Sequence, residues 1–584
     1  MRKTKIICTI GPSSEDRETL TKIFQAGMNV SRHNFSHGDH EEHGGRIRLV
    51  KELSKEFNKP VAIILDTKGP EIRTGNFTAG KVELKEGSNF TIVCGEEVSG
   101  DETKCSLSYD KLYNDVKPGD MILIDDGLVG LEVHKIEGKN IQCVVKNSGI
   151  VGNHKGVNVP GVSINLPAIT DKDIADLKFG IEIGVDIIAA SFIRKAADVL
   201  EIRKVLQENG GDDIQIFSKI ENQEGVNNLD EILKFSDGIM VARGDLGVEI
   251  PIEQVPLVQK MIIERCNFAG KPVITATQML DSMMRNPRPT RAEASDIANA
   301  IFDGTDCIML SGETANGKYP VESVRTMARI AEAAENQLNY EATLKKKRKS
   351  HIPNVPNAIS LATCNTAMEL NASAIITATQ SGHSAKIVSK YRPECPIIAV
   401  TPYAKVARKL AMNWGVYPIV AEKVESTDEL INKSADIALE TGLVKKGDLV
   451  VIAAGIPVNY VGSTNMMKVH IVGDILLQGK GEGDRPGSGT VSVAENAKEA
   501  VEKVEEGSIL VVKELSKEYV DVFDKVGGII VEDAVSPDLI IECIAKEIPV
   551  ISCASGAVEI LKTGSFITMD VARGVVFSGK ANII

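Results

Sequence analysis

Between Ile6 and Leu310 the chain repeats one pattern: a short, continuous apolar run, then in most cases a longer stretch with helical periodicity. Eight such runs occupy residues 5–10, 28–34, 61–66, 185–193, 213–221, 236–244, 271–278 and 306–311. They are rich in Val, Ile and Ala with little polar alternation, as strands buried on both faces require. Helical stretches at 40–57, 196–209, 252–269 and 321–338 separate most of them, so the order is β then α, repeated. Eight such units predict an α/β fold, a (β/α)8 TIM barrel over residues 1–73 and 171–344.

The rhythm breaks after the third run. Residues 74–170 carry short alternating runs, such as 121–130 and 131–138, punctuated by Gly, Asn and Asp, which predicts a small inserted β-barrel domain able to act as a lid. Helical periodicity resumes at Thr170, where Asp171 and Lys172 make a plausible helix start. Beyond the eighth unit the basic run Lys345, Lys346, Lys347, Arg348, Lys349 stands beside Pro353 and Pro356 and reads as a solvated linker. A second α/β domain is expected over 345–473, with strands at 374–378, 396–401, 417–421 and 448–453. A stretch rich in Gly and charge, 481–489, leads into a separate piece, 474–584.

Composition narrows the class. A chain of 584 residues, 43% hydrophobic, has room for three or four domains with real cores. The net charge of −13 argues against a nucleic-acid or anionic-membrane partner, while leaving room for local basic clusters in a cleft. Ten cysteines without a Cys-x-x-Cys pair suggest neither a zinc site nor a disulfide framework, and so a reducing, cytoplasmic setting. The N-terminus runs almost directly into a strand without a signal pattern, and no apolar stretch reaches the ~18–20 residues that span a bilayer.

The polar clusters sit where the strands end, the rim at which barrels of this kind carry chemistry. After the second strand Arg32, Asn34 and Ser36 alternate, so an extended chain points all three to one side. After the third comes Asp66-Thr67-Lys68-Gly69-Pro70-Glu71-Ile72-Arg73, a segment that taken alone is equally a chain reversal. After the fifth, Lys219 and Glu221 share a face, in isolation an ordinary ion pair. The sixth ends in Ala242-Arg243-Gly244-Asp245-Leu246-Gly247, where two glycines allow close backbone approach and Asp245 could take a metal. The seventh ends in Thr275-Ala276-Thr277-Gln278 and the eighth in Ser311-Gly312-Glu313-Thr314. Glu221 and Asp245 suit a hard divalent ion, and Arg32, Arg73 and Lys219 suit phosphate oxygens. With no Cys or Ser nucleophile beside a His base and no dinucleotide glycine fingerprint, the inventory favours phosphoryl chemistry over acyl or hydride transfer.

Residues 29–38 (NVSRHNFSHG), 65–75 (LDTKGPEIRTG), 218–222 (SKIEN), 241–249 (VARGDLGVE), 276–280 (ATQML) and 309–315 (MLSGETA) closely resemble, in order, the signature segments of the pyruvate kinase family. The resemblance covers about residues 1–473 and implies phosphoryl transfer from phosphoenolpyruvate to ADP. It makes Arg32 and Arg73 phosphate-binding groups, Lys219 the stabiliser of the transferring group, and Glu221 and Asp245 the Mg2+ ligands. Gly244 and Thr277 would meet the substrate carboxylate, with Thr277 helping to protonate the enolate. Asn34, Ser36, Asp66 and Thr67 match the family's K+ site, and Glu71 the form associated with K+ dependence. Arg73, Lys155 and Lys195 would contact nucleotide.

Residues 377–386 (TATQSGHSAK) end a strand and open a helix whose N–H groups could cradle a phosphate. The resemblance turns this into an allosteric effector loop built on Thr379, Ser381, Gly382 and Ser384, although Gln380 and His383 stand where some relatives carry Lys or Arg. Family precedent implies a homotetramer. The piece 474–584 resembles the swivelling phosphohistidine domain of phosphoenolpyruvate-utilising enzymes, yet the last histidine in the chain is His470, so a structural or interface role is expected there. A lyase on a related barrel would not need Arg32, Arg73 and Lys219 together. A silent effector-binding protein would not need Lys219, Glu221, Asp245 and Thr277.

Overall fold

A computed structural model describes residues 1–349, 352–423, 427–456, 464–473 and 475–581. They form two compact units, residues 1–339 with 404–418, and residues 340–403 with 419–584. The domain boundary expected at residue 474 lies outside the described residues.

In the first unit eight parallel strands close into a barrel in chain order: β1 (Lys5–Thr9), β2 (Val30–Asn34), β3 (Ala62–Asp66), β4 (Ile187–Ala190), β5 (Gln215–Ile220), β6 (Gly238–Ala242), β7 (Val273–Ala276) and β8 (Cys307–Leu310). Each lies inside its expected run and falls one to three residues short of it on at least one side. Period two divides each strand between the barrel interior and the helical shell. Ile7, Val30, Ile64, Phe217, Met240 and Ile274 fill the interior, while Ile6, Cys8, Ile63, Leu65 and Ile216 pack outward with the helices. Burying each of these side chains contributes roughly 1.5–3 kcal/mol.

Local chemistry fixes the helix ends. Thr170 and Thr290 each close a capping box, with Asp173 and Glu293 returning the bond to the cap backbone. Gly184 ends the first of these helices at φ +71, a left-handed conformation that costs glycine little.

The insertion after β3 is the expected β domain, a seven-stranded sheet with a separate core around Phe77, Phe90, Ile92, Ile122 and Ile141. Several polar ties join it to the barrel. Asn158 donates to Glu249 (2.8 Å), Ser163 donates to Glu224 (2.9 Å), and the Arg194 guanidinium donates to the carbonyls of Ile164 and Leu166 (both 2.8 Å).

Residues 404–418 fall, in chain order, inside the second α/β domain but pack with the barrel. Met412 is fully buried within the interior cluster, and Trp414 is 2% exposed. The Trp414 N–H donates to Asp306, the Gly415 N–H to the Lys3 carbonyl and the Cys307 thiol to the Met412 carbonyl. Arg408 Nε lies 3.0 Å from both carboxylate oxygens of Asp186. Asp306 and Asp186 each immediately precede a strand, so this segment closes the end of the barrel where the strands begin.

The second unit contains a five-stranded sheet and an eight-stranded one. In the first, Ala374–Ala378 lies between Ile397–Thr401 and Leu449–Ala454, all parallel. Met466–Ile471 adds an antiparallel strand beside Leu449–Ala454, which the sequence pattern did not announce. In the second sheet Gly487–Val493, Ser508–Val512, Val526–Val531 and Val550–Ser552 run parallel around a core of Leu510, Phe523, Ile529 and Val531. The basic run Lys345–Lys349 forms the end of a helix, Tyr340–Lys349, where cations complement the carbonyl end of the helix dipole. Among the described residues no helix is long and apolar enough to cross a membrane.

Candidate active site

The parity that fills the barrel with apolar side chains also builds its polar rim. Arg32 shares a face with Val30, Asp66 with Ile64, and Lys219 with Phe217, so each points inward one pleat above the core. Register places Asn34 beside Asp66 across β2 and β3. The result is one connected cluster. Arg32 Nε lies 2.6 Å from Asp66 and its Nη1 3.0 Å from the Thr9 hydroxyl. Lys219 Nζ lies 3.1 Å from Asp66, 2.9 Å from Glu221 and 2.8 Å from the Ser191 hydroxyl. The other Glu221 oxygen accepts the Phe192 N–H at 2.6 Å.

Burial opposes every one of these charges, and the partners decide which charges persist. Burial works against the Lys219 ammonium, but the carboxylates of Asp66, Glu221 and Asp245 outweigh it and hold its pKa above the ordinary lysine value. Burial likewise works against the Asp66 carboxylate, yet Arg32 and Lys219 hold its pKa below the usual range. Glu221 goes the other way: burial raises it, Lys219 pulls it down, and the nearby negative Asp245 adds to the rise.

A divalent cation fits this donor set. It would neutralise the repulsion between Glu221 and Asp245, and no described residue hydrogen-bonds or ion-pairs with the Asp245 carboxylate. Among the described residues no three His, Cys, Asp or Glu side chains form a ready-made metal cage. Two carboxylates completed by water and substrate oxygens are the usual arrangement for Mg2+.

Asp245 lies on a short helix, Arg243–Glu249, that begins as soon as β6 ends. The Gly244 N–H donates to the Thr277 hydroxyl at 2.7 Å, which ties the ends of β6 and β7 together. Thr277 (φ +66) and Gln278 (φ +55) are both left-handed, which costs roughly 1–2 kcal/mol per non-glycine residue and is a strain that gathers at functional sites.

Arg73, Lys155 and Asp245 line one cavity of about 450 Å3 between the barrel rim and the inserted domain, together with Glu71, Asp126 and Asn222. Arg73 pairs with Glu71 at 2.6 Å and Lys155 with Asp125 at 3.1 Å. Lys195 stands apart, exposed at the start of helix Ala196–Glu208 and not lining this cavity. Ser36 also departs from the alternation: β2 ends at Asn34, and the Ser36 N–H turns back to the Asn34 side-chain oxygen at 3.2 Å. Thr67 accepts the Ser191 N–H at 3.1 Å and stays beside Asp66.

In the second unit, Thr379 accepts the Gly382 N–H at 2.9 Å, and Gly382 (φ +83) caps helix His383–Lys390. Ser384 is buried, its hydroxyl 2.7 Å from that of Thr464, while Ser381 is exposed.

Ser191 and Glu313 escaped the sequence reading of roles. Ser191 sits one pleat above Ala189 and meets Lys219, and its signal was a hydroxyl at the end of the fourth apolar run. Glu313 is buried and accepts the N–H groups of Leu280 and Ser311, joining the loops after β7 and β8.

Comparison with known proteins places this architecture. The family models for the pyruvate kinase barrel domain, the pyruvate kinase alpha/beta domain and the mobile domain of PEP-utilising enzymes match residues 1–324, 357–470 and 504–574. A pyruvate kinase of Bacillus licheniformis is 53% identical over the full length of both chains. One from Clostridium acetobutylicum is 68% identical over 81% of this chain and all of its own. A crystal structure of a pyruvate kinase from Cryptosporidium parvum, 43% identical, superposes with a TM-score of 0.78 over 81% of this chain and 96% of that one. A closed eight-stranded barrel, a charged rim at its strand ends and full-length similarity agree: the chain is a phosphotransferase that belongs to the pyruvate kinase family.

Proposed function

We propose that the chain transfers the phosphoryl group of phosphoenolpyruvate to ADP, giving pyruvate and ATP. The observation that supports it most is the Lys219 ammonium, buried on the rim within 3.1 Å of Asp66 and 2.9 Å of Glu221. The phosphorus–oxygen bond to the enol oxygen breaks as an ADP β-phosphate oxygen bonds to phosphorus. In a loose transition state the negative charge spreads over three equatorial oxygens, and fixed cations lower its energy without having to reorganise. Lys219 and Arg32 are fixed in this sense by Asp66, and Arg73 joins them from the cavity wall. Lys155 and, less directly, Lys195 meet the nucleotide phosphates.

Glu221 and Asp245 would hold Mg2+, which supplies neutralisation of phosphoryl charge when bound. Asn34, Ser36, Asp66 and Thr67 would hold K+, a requirement consistent with Glu71 rather than Lys at that position. Once phosphorus leaves, the enolate must gain a proton on its methylene carbon. The Gly244 N–H and Thr277 hydroxyl face the substrate carboxylate in this reading, and Thr277 passes a proton drawn from water.

The turn from Thr379 to Ser384 takes a phosphorylated activator, the assembly is a homotetramer in the cytoplasm, and the histidine-free piece 474–584 serves structure rather than phosphate carriage. Formation of pyruvate from phosphoenolpyruvate and ADP, followed by a coupled dehydrogenase with and without Mg2+ and K+, tests the reading. Turnover dependent on both ions is expected, and no pyruvate under any of these conditions refutes it.

A further inference from the structure

We infer that Arg243 is a positioning residue for the protonation step, because its guanidinium holds Thr277 in the backbone conformation that fixes its hydroxyl. The inference rests on the reading of Thr277 given above. Left-handed conformation is rare for a β-branched residue and persists only where the surroundings over-determine it. Thr277 at φ +66 is followed by Gln278 at φ +55, so two strained residues stand in succession.

Arg243 supplies the constraint. Its Nε donates to the Ala276 carbonyl at 3.0 Å and its Nη2 to the Thr277 carbonyl at 2.7 Å, so one planar group grips two successive peptides. The far edge of the guanidinium is itself anchored. Nη1 lies 2.7 Å from Asp296 and 3.2 Å from the side-chain oxygen of Gln259, and the side chain is 11% exposed. The next residue along the chain, Gly244, donates its N–H to the Thr277 hydroxyl at 2.7 Å. One short segment therefore holds Thr277 twice, by its carbonyl and by its hydroxyl.

The Thr277 hydroxyl donates to the Ala276 carbonyl at 2.6 Å, the same oxygen that Arg243 occupies. A charge-assisted donor on that oxygen pins the Ala276 carbonyl, and with it the acceptor that orients the hydroxyl. Lysine cannot reproduce this, because a single ammonium does not span two carbonyls and a carboxylate in one plane.

The test is hydrogen exchange at the methyl group of pyruvate, followed in deuterated water with the full-length protein, alongside the phosphoenolpyruvate KM. In Arg243→Lys exchange is expected to slow ~10–100-fold, the scale of a small misplacement at a reacting group, while KM stays within ~3-fold because Arg32, Arg73 and Lys219 still hold the phosphoryl group and the Gly244 N–H still faces the carboxylate. Asp296→Asn, a milder change that loosens only the anchor, keeps the protein folded and is expected to slow exchange ~2–5-fold. Parental exchange rates in both variants, with slowed exchange in Thr277→Val, overturn the inference and leave the Thr277 reading standing. Parental exchange in Thr277→Val overturns that reading and the inference with it. A KM that rises in step with the loss of exchange overturns the positioning role.

Discussion

The two ends of the barrel use buried charge differently. At the end where the strands finish, Asp66, Glu221, Lys219 and Arg32 bury ionic groups, and Thr277, Gln278 and Phe192 hold left-handed backbone. At the end where the strands begin, Met412 and Trp414 fill the mouth, and the buried carboxylates of Asp306 and Asp186 are each met by this same segment. Buried charge costs several kcal/mol per ion before pairing, so the rim is a poor way to stabilise a fold and an effective way to concentrate cations. The difference separates what this fold needs to stand from what it needs to react.

The comparison breaks if a rim charge proves dispensable. Lys219→Met is expected to lower turnover by ~10^3-fold or more, the scale at which removal of a cationic finger acts on phosphoryl transfer. Near-parental turnover in the steady-state assay would remove Lys219 from the reaction.

At the opposite end, Arg408→Met leaves the Asp186 carboxylate buried without its 3.0 Å partner and should cost ~3–4 kcal/mol of stability, read by denaturant midpoint. Its pH dependence has a definite sign. Burial already holds the Asp186 pKa above the ordinary carboxylate value against the pull of Arg408. A carboxyl raised in the folded state favours folding below its unfolded pKa and loses that contribution as pH rises through the folded value. The variant's deficit is therefore greatest at neutral pH and shrinks on acidification. A deficit that grows as pH falls would contradict this account.

Met412→Ala is the mildest of the three. It empties part of a fully buried site and should cost ~2–3 kcal/mol, with turnover at a temperature where the variant is folded within ~2-fold of the parent. A large fall in turnover without loss of stability would show that the two ends are coupled.

The eight barrel strands were legible because burial on both faces leaves short continuous apolar runs. The inward charges were legible too, since a Lys or Asp that continues the parity of Phe217 or Ile64 must stand at the rim. Ser36 misled because alternation says where side chains point only while the strand lasts, and β2 stops at Asn34. The sixth apolar run, 236–244, reads past the end of its strand, because β6 stops at Ala242 and the chain turns helical at once at Arg243. Met466–Ile471 is a half-exposed antiparallel strand whose Lys468 and His470 interrupt its apolar pattern. Nothing in residues 404–418 announces a barrel partner, because a contact across more than four hundred positions, such as Lys5 to Val416, leaves no local periodicity.

Vectorial synthesis gives the Met412 plug a timing. β8 leaves the ribosome about a hundred residues ahead of Met412, an interval of roughly 5–20 s at ordinary elongation rates. Through that interval the nascent cylinder has all its staves and an open floor, and whatever binds exposed apolar surface in the cell has that long to find it.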